Sequence, residues 1–294
     1  MLSRRNLLKT GIGLGVATLL AVSPARAANL EEVTYLLPAP PTMAAFGPWV
    51  LAQARGYYAQ EGLNVNFVMA KGGVDVAKQV GAGNAPIGGA IGDTPIIARA
   101  NGIPVKAVAV LGGRSLTQLV WHDGRGINSP KDLKGKVVTT LAYQDTTFYS
   151  LLGMLATSGL TKNDLDIQAA GPAGVWQLFA AGKADAMAAV PDWTIAAHQA
   201  GAKLKVHSSD EYFKSMAQAI LASDETIRKR PDLVRKLVKA TLRGMQDIMK
   251  DPKAAARDFV NAVPAQKGKE ATIEQIFEMY SNYVYAGQKV LGAM

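Results

Sequence analysis

The sequence predicts an α/β protein of two lobes, each a mostly parallel sheet flanked by helices. Three observations lead there. First, short apolar runs alternate with helix-like segments from Val33 onward, the pattern of consecutive βαβ units. Second, the stretch Ala82–Ala98, AGNAPIGGAIGDTPIIA, has a weaker echo in Ala181–Ala197, AGKADAMAAVPDWTIAA. Ala82, Gly83, Ala85, Ala90, Asp93, Ile96 and Ala98 fall on Ala181, Gly182, Ala184, Ala189, Asp192, Ile195 and Ala197, and two copies of one unit suggest two similar lobes. Third, each copy reads as a strand, a tight turn with one Asp, and a helix start. Ligands of open α/β sheets sit beyond the strand C-termini, so Asp93 and Asp192 are expected at the walls of an interlobe cleft.

The 294 residues suffice for two ordinary domains. Apolar content is 49% and charged content 19%, with no cysteine, which excludes disulfides, thiolate metal sites and a cysteine nucleophile. The formal charge is +9, but Arg4, Arg5, Lys9 and Arg26 lie in a segment with the layout of an export leader, and without them 28 basic and 23 acidic residues remain. That mild excess does not point to nucleic acid. The leader, residues 1–27, has a basic start, an apolar run Ile12–Val22 and a small-residue site Ala25-Arg26-Ala27. The run is too short for a permanent anchor. Ser3-Arg4-Arg5-Asn6-Leu7-Leu8-Lys9 resembles a twin-arginine export motif. Gly11, Gly13 and Gly15 mimic part of a dinucleotide fingerprint, but no strand precedes them. The expected destination is a periplasm.

In the first lobe, Val33–Leu37 is a strand that runs into Pro38-Ala39-Pro40-Pro41-Thr42, which cannot continue it. Phe46–Gln53 follows as a helix with Pro48 in its first turn. Leu63–Val68 is a strand, Lys71-Gly72-Gly73 a turn and Val74–Val80 a helix. Ile87–Ile91 is a small-residue strand buried on both faces. Thr94 is expected to cap the next helix, with Pro95 at its first position. Val105–Leu111 is a further strand.

The segments GPWVLAQARGYYAQEGLNV, IGGAIGDTPIIARANGIPVKAVAVL and DLKGKVVTTLAYQDTTFYSLLGMLATSGL resemble the periplasmic substrate-binding proteins of ABC importers. The branch is NMT1/THI5-like, which includes sulfonate, taurine, nitrate, riboflavin and thiamine-pyrimidine binders. The resemblance implies a type 2 periplasmic-binding fold with two crossing hinge strands, and it does not specify the ligand. Members commonly run past the last helix seen here, which leaves room for a closing helix beyond Met294. Pyrimidine-binding members commonly carry His where Phe46 stands, and the cysteine-rich motif of the related pyrimidine synthases is absent.

Gln118–His122 is a strand, and the polar stretch after it, to Pro130, is the expected crossing. Val137–Leu141 is a strand, and Tyr143-Gln144-Asp145-Thr146-Thr147 a loop opening the helix Thr147–Ser158. The loop's N–H groups and hydroxyls suit a carboxylate, sulfonate or carbonyl oxygen, although Asp145 or Thr146 could simply cap the helix. Asp166–Ala170 is a strand, Gly171-Pro172-Ala173-Gly174 a turn and Val175–Ala181 a helix carrying Trp176. Strand Ala184–Val190, turn Pro191-Asp192-Trp193, a helix to His198 and strand Leu204–His207 complete the lobe. The chain returns near Ser208–Tyr212, and Met216–Ala222 rejoins lobe one. Lobe one is therefore residues 28–117 and 213–294, and lobe two 118–212. In the tail, Asp224–Met249 is amphipathic with Pro231 at a helix start and a solvated basic face, and Ala254–Val263 and Ile273–Val290 are further helices.

Phe46, Tyr143, Trp176 and Trp193 fall in or beside the expected cleft loops and could stack a flat ligand; each could equally fill local core. Lys71 lies at the rim and Arg114 near the crossing, with no planted Arg for a strongly anionic ligand. His122, His198 and His207 lack metal-ligand spacing, and no nucleophile elbow, P-loop or HExxH appears. Asp93 and Asp192 as a catalytic carboxylate pair is the competing reading. The expected ligand contacts are Phe46, Asp93 and Thr94 from lobe one and Tyr143, Asp145, Thr146, Trp176, Asp192 and Trp193 from lobe two. The expected function is that of a non-enzymatic, monomeric binding protein without cofactor, metal or nucleic acid. It captures an aromatic or heterocyclic molecule and delivers it to an inner-membrane permease with its ATPase. A pyrimidine-synthesis or hydrolytic enzyme, and a sensor docking a membrane receptor, are the alternatives.

Overall fold

The computed structural model describes residues 30–143 and 145–293; residues 1–27, expected from sequence to be an export leader, lie outside the described residues. Strands β1 (Glu31–Leu37), β2 (Leu63–Met69), β3 (Ile87–Ile91) and β4 (Val105–Val110) share one five-stranded sheet with β10 (Gln218–Ser223), in the order β2-β1-β3-β10-β4. Strands β6 (Val137–Thr140), β7 (Asp166–Ala169), β8 (Ala186–Ala189) and β9 (Leu204–Ser208) share the other with β5 (Gln118–His122), in the order β7-β6-β8-β5-β9. In each sheet one strand is antiparallel to both neighbours, β10 in the first and β5 in the second. The reason is directional. The parallel strands end at the interlobe side, and a chain arriving from the other lobe must start there and run the opposite way.

The two sheet orders superimpose strand for strand. β3 and β8, which hold the sequence echo, occupy the same place in each. The chain crosses between sheets over residues 111–117 and returns over 209–217. The first crossing therefore precedes the polar stretch to Pro130 assigned to it from sequence, because β5 already pairs with β8 and β9.

Helices α1 (Gly47–Ala54), α2 (Tyr57–Gln60), α3 (Gly73–Gly81) and α4 (Thr94–Ala100) serve the first lobe, and α5 (Thr146–Ala156), α6 (Gly171–Ala180) and α7 (Pro191–Gln199) the second. Pro48, Pro95, Pro172 and Pro191 all stand at the first or second helical position, where a fixed φ helps and a missing N–H costs nothing. Gly171–Gly174 and Pro191–Trp193 are thus first helical turns rather than the expected free turns. The cap of α4 is Asp93 instead of Thr94.

The tail forms α8 (Asp224–Lys229), α9 (Pro231–Lys250), α10 (Pro252–Ala262) and α11 (Glu270–Met279). The single segment Asp224–Met249 breaks before Pro231 because proline cannot donate within a helix. Ile273–Val290 is not one helix: a π turn over Tyr280–Val284 follows Met279, closed by Tyr285 N–H on the Tyr280 carbonyl at 2.7 Å. The wider turn leaves Tyr280 and Tyr285 both buried, with centroids 5.4 Å apart. α9 packs so closely on α1 that a Cβ at Gly244 would stand 2.1 Å from the Pro48 carbonyl oxygen. Among the described residues no helix is long and apolar enough to cross a membrane.

Leu119, Trp121, Leu133, Leu151 and Met154 belong to a core of the second lobe alone. The larger core is shared: Leu141, Met187, Val190 and Trp193 pack with first-lobe residues such as Phe46, Trp49 and Leu116. The lobes are therefore pressed together.

Candidate ligand site between the lobes

The strands of both sheets end at the cleft, so the N-termini of α3, α4, α5 and α7 converge there. Two carboxylates span it. Asp145 is extended (φ −96°) and caps α5: its Oδ1 accepts from Thr147 N at 2.9 Å and Thr147 Oγ1 at 2.6 Å. Its Oδ2 accepts from Gly73 N of the other lobe at 3.1 Å, so capping and bridging are shared between its two oxygens. Beside it, Thr94 Oγ1 and Thr146 Oγ1 lie 2.5 Å apart, one from each lobe. A Cβ at Gly73 would sit 2.7 Å from Thr146 Oγ1 and 3.1 Å from Thr94 Oγ1. Glycine is what lets the helix ends meet.

Asp192 is the second bridge. Its Oδ1 accepts from Ala45 N at 3.0 Å and its Oδ2 from Tyr280 Oη at 3.3 Å. Burial against the first lobe pushes its pKa up to about 6, opposed by those hydrogen bonds. Asp93, its counterpart in the echo, faces the return segment instead: Oδ2 accepts from Ser215 Oγ and, at 3.5 Å, from Met216 N. Burial raises its pKa too, with the Ser215 hydroxyl pulling the other way.

Between the bridges lies a cavity of about 50 Å³ bordered by Ala39, Met43, Phe46, Trp49, Ile91, Leu116, Leu141, Asp145, Thr147, Val190, Trp193 and Gln218. It holds a few waters at most and is far below the roughly 300 Å³ of a small ligand pocket, so a larger guest must part the lobes. The lining is aromatic and apolar, and it includes no Lys, Arg or His. Gln218 is 4% exposed. Its Nε2 donates to the Ala45 carbonyl at 2.6 Å, and its Oε1 has no partner among the described residues. The Trp49 ring, at the cavity, packs against that of Tyr35 with centroids 6.1 Å apart.

Met43 and Trp193 also border a wider interlobe groove of about 500 Å³, together with Pro40, Trp176, Asp192, Gln199, Lys269 and Thr272. Gln199 Nε2 ties its two walls by donating to Thr272 Oγ1 at 2.9 Å.

Of the residues proposed from sequence, Phe46, Asp145 and Trp193 border the cavity, and Trp176 and Asp192 border the groove. Thr94 and Thr146 bond each other across the cleft. Tyr143 is 54% exposed, and its hydroxyl donates to the Ile167 carbonyl at 2.9 Å; it borders neither space. Lys71 and Arg114 are not at the cavity; Arg114 lies over the Tyr283 ring at 5.1 Å.

Sequence reasoning missed Trp49, Gln218 and Gly73, whose places depend on tertiary approach. The two crossing hinge segments are expected from sequence, but the hydroxyl network that joins them is not. Thr117 Oγ1 is 2.7 Å from both Ser150 Oγ and Ser209 Oγ, and Ser209 Oγ is 2.7 Å from Ser115 Oγ. All four are buried. Asp210 accepts from Ser115 N at 3.0 Å and Tyr283 Oη at 3.1 Å. This network binds the two crossing segments side by side. The histidines lie elsewhere: His122 stacks on Phe179 at 4.1 Å, and His207 pairs with Glu211 at 2.8 Å. Among the described residues no group of His, Cys, Asp and Glu could hold a metal ion.

Residues 44–255 match the family model described as NMT1/THI5 like. The riboflavin-binding protein RibY of Chloroflexus aurantiacus is 27% identical over 264 residues, covering 88% of this chain and 74% of that protein. The 4-amino-5-hydroxymethyl-2-methylpyrimidine phosphate synthase of Schizosaccharomyces pombe is 23% identical, covering 80% of this chain and 71% of its own length. Among solved structures, the alkanesulfonate-binding protein SsuA from Xanthomonas axonopodis pv. citri, bound to MOPS, superimposes with a TM-score of 0.70 at 19% identity, covering 86% of this chain and 85% of that one. The periplasmic nitrate-binding protein NrtA from Synechocystis gives 0.59 at 11% identity, covering 90% and 74%. At such identities the likeness is one of fold: that of the periplasmic binding proteins.

Proposed function

We propose a solute-binding role for this chain, which belongs to the NMT1/THI5-like family. It captures a small aromatic or heterocyclic molecule between its lobes and hands it to a membrane permease driven by an ATPase. Residues 28–117 with 213–294 form one jaw and 118–212 the other, and the chain works as an exported monomer. The observation that carries this is the cavity itself, bordered by both lobes, walled by Phe46, Trp49 and Trp193, and crossed by paired contacts at Asp145 and Asp192. Parting the lobes breaks those contacts; a guest that fills the space allows them to re-form, so binding and closure are coupled. RibY, SsuA and NrtA, named as binding proteins, support the role. A thermal-shift screen over riboflavin, pyrimidines, aromatic acids and sulfonates tests it. A ligand present at a hundred times its dissociation constant stabilises by about 2.7 kcal/mol, and a panel with no shift would overturn the role.

The relatives named as pyrimidine phosphate synthases favour a second reading, an enzyme of pyrimidine synthesis. The chain has no cysteine, and no histidine borders the cavity. Turnover of a stabilising ligand by the purified chain would establish that reading in place of the first.

A further inference from the structure

We propose that Gln218 selects a heterocycle presenting an N–H donor and that the cavity rejects oxyanions, an inference that rests on the solute-binding role above. The repeat supplies an internal comparison. Gln118 opens β5 as Gln218 opens β10, each the antiparallel strand of its sheet. The oxygen of Gln118 is satisfied within its own lobe, accepting from Thr194 Oγ1 at 2.6 Å. In the aligned echo Thr194 falls on Pro95, which has neither hydroxyl nor N–H. The matching donor is therefore absent from the first lobe, and Gln218 Oε1 has no partner among the described residues.

The amide's orientation follows from its other end. The Ala45 carbonyl can only accept, so the group 2.6 Å from it is the NH₂ of Gln218. The oxygen left over belongs to a buried residue that borders the cavity. A buried acceptor without a donor costs stability unless a guest or water supplies one. Asp145, the charged residue at the cavity, adds a second acceptor, and no Lys, Arg or His stands there to offset an anion. An oxyanion in this space would face a carboxylate and an unpaired carbonyl oxygen, whereas an N–H would satisfy one of them.

The test measures affinity of the full chain by titration calorimetry. The probes are riboflavin, its N3-methyl derivative, 4-amino-5-hydroxymethyl-2-methylpyrimidine and MOPS. An N–H probe is expected to bind the wild type, riboflavin about tenfold or more tighter than its N-methyl derivative, with MOPS silent. Gln218→Met keeps side-chain length and removes the acceptor; it should bring the riboflavin to N3-methylriboflavin ratio close to one. Gln218→Glu keeps an acceptor but loses the donation to Ala45, and should retain the preference. Melting curves check that each variant folds, and loss of preference in the Glu variant would count against the inference even if the Met variant failed to fold. Equal binding of riboflavin and its N-methyl derivative, or tight binding of MOPS by the wild type, overturns the inference and leaves the solute-binding role standing. No binding of any probe removes both.

Discussion

Asp192→Asn probes the carboxylate that ties the second lobe to Ala45. In the closed arrangement burial lifts Asp192 from the ordinary 3.8 to about 6. A raised native pKa means the folded chain holds this proton more readily than the unfolded chain. The stabilisation is complete below the unfolded value and is lost as pH rises through the folded one. With those two values, linkage gives on the order of 1 kcal/mol between pH 5 and pH 8, a shift of a few degrees in melting temperature. Asparagine has nearly the same shape, can accept the same Ala45 N–H and does not titrate. The assay is the melting temperature of wild type and variant at both pH values in buffers of equal ionic strength. Wild type should gain on the variant by roughly that amount on going from pH 8 to pH 5. Carboxylates such as Asp224 and Asp132, held low by Arg99 and by backbone N–H groups respectively, change stability in the opposite sense. They do so in both proteins and cancel in the difference. Parallel pH profiles would show that Asp192 is not buried as a charge between the lobes.

Other substitutions test the remaining contacts. Gly73→Ala needs no unusual φ but drives a methyl to 2.7 Å from Thr146 Oγ1; overpacking of about 1–3 kcal/mol should weaken ligand binding tenfold or more by calorimetry, with the melting temperature of the ligand-free chain changed much less if the lobes can part. Thr117→Val removes the hydroxyl that joins Ser115, Ser150 and Ser209, and urea unfolding should show a loss of about 1–3 kcal/mol. Gly244→Ala forces α1 and α9 apart, since the Pro48 carbonyl oxygen would be 2.1 Å from the new carbon; a loss of about 3 kcal/mol or more is expected, and a near-normal melting curve would contradict the packing described.

The lobes were legible in sequence because their signals are local. Alternating apolar runs mark β1 to β9, prolines mark helix starts, and the Ala82–Ala98 echo marks the repeat that the strand orders confirm. The carboxylates at 145 and 192 were legible as cleft residues because a strand-to-helix turn places them at the cleft side of a sheet. Their partners were not, since Gly73 and Ala45 offer only backbone N–H groups and any residue has one. Gln218 was hidden for a similar reason. On a buried strand it reads as a polar interruption, and its free oxygen appears only once Pro95 is seen where the other lobe has Thr194. The equal weight given to Asp93 and Asp192 illustrates the limit of a repeat. Homologous position fixed the turn, but the return segment with Ser215 claimed one carboxylate and the facing lobe the other. In the tail, Ile273–Val290 reads as a single helix because its apolar spacing is nearly regular; burying both Tyr280 and Tyr285 takes the extra residue of a π turn.

Amide hydrogen exchange, with and without the ligand found by thermal shift, tests coupled closure most directly. The Gly73 and Ala45 N–H groups donate from one lobe to Asp145 and Asp192 of the other, so they exchange when the lobes separate. Jaws that shut on a guest predict that both amides slow together on ligand addition, in step with the N-termini of α5 and α7. Protection confined to one lobe, or a ligand that leaves both amides exchanging as before, would contradict it.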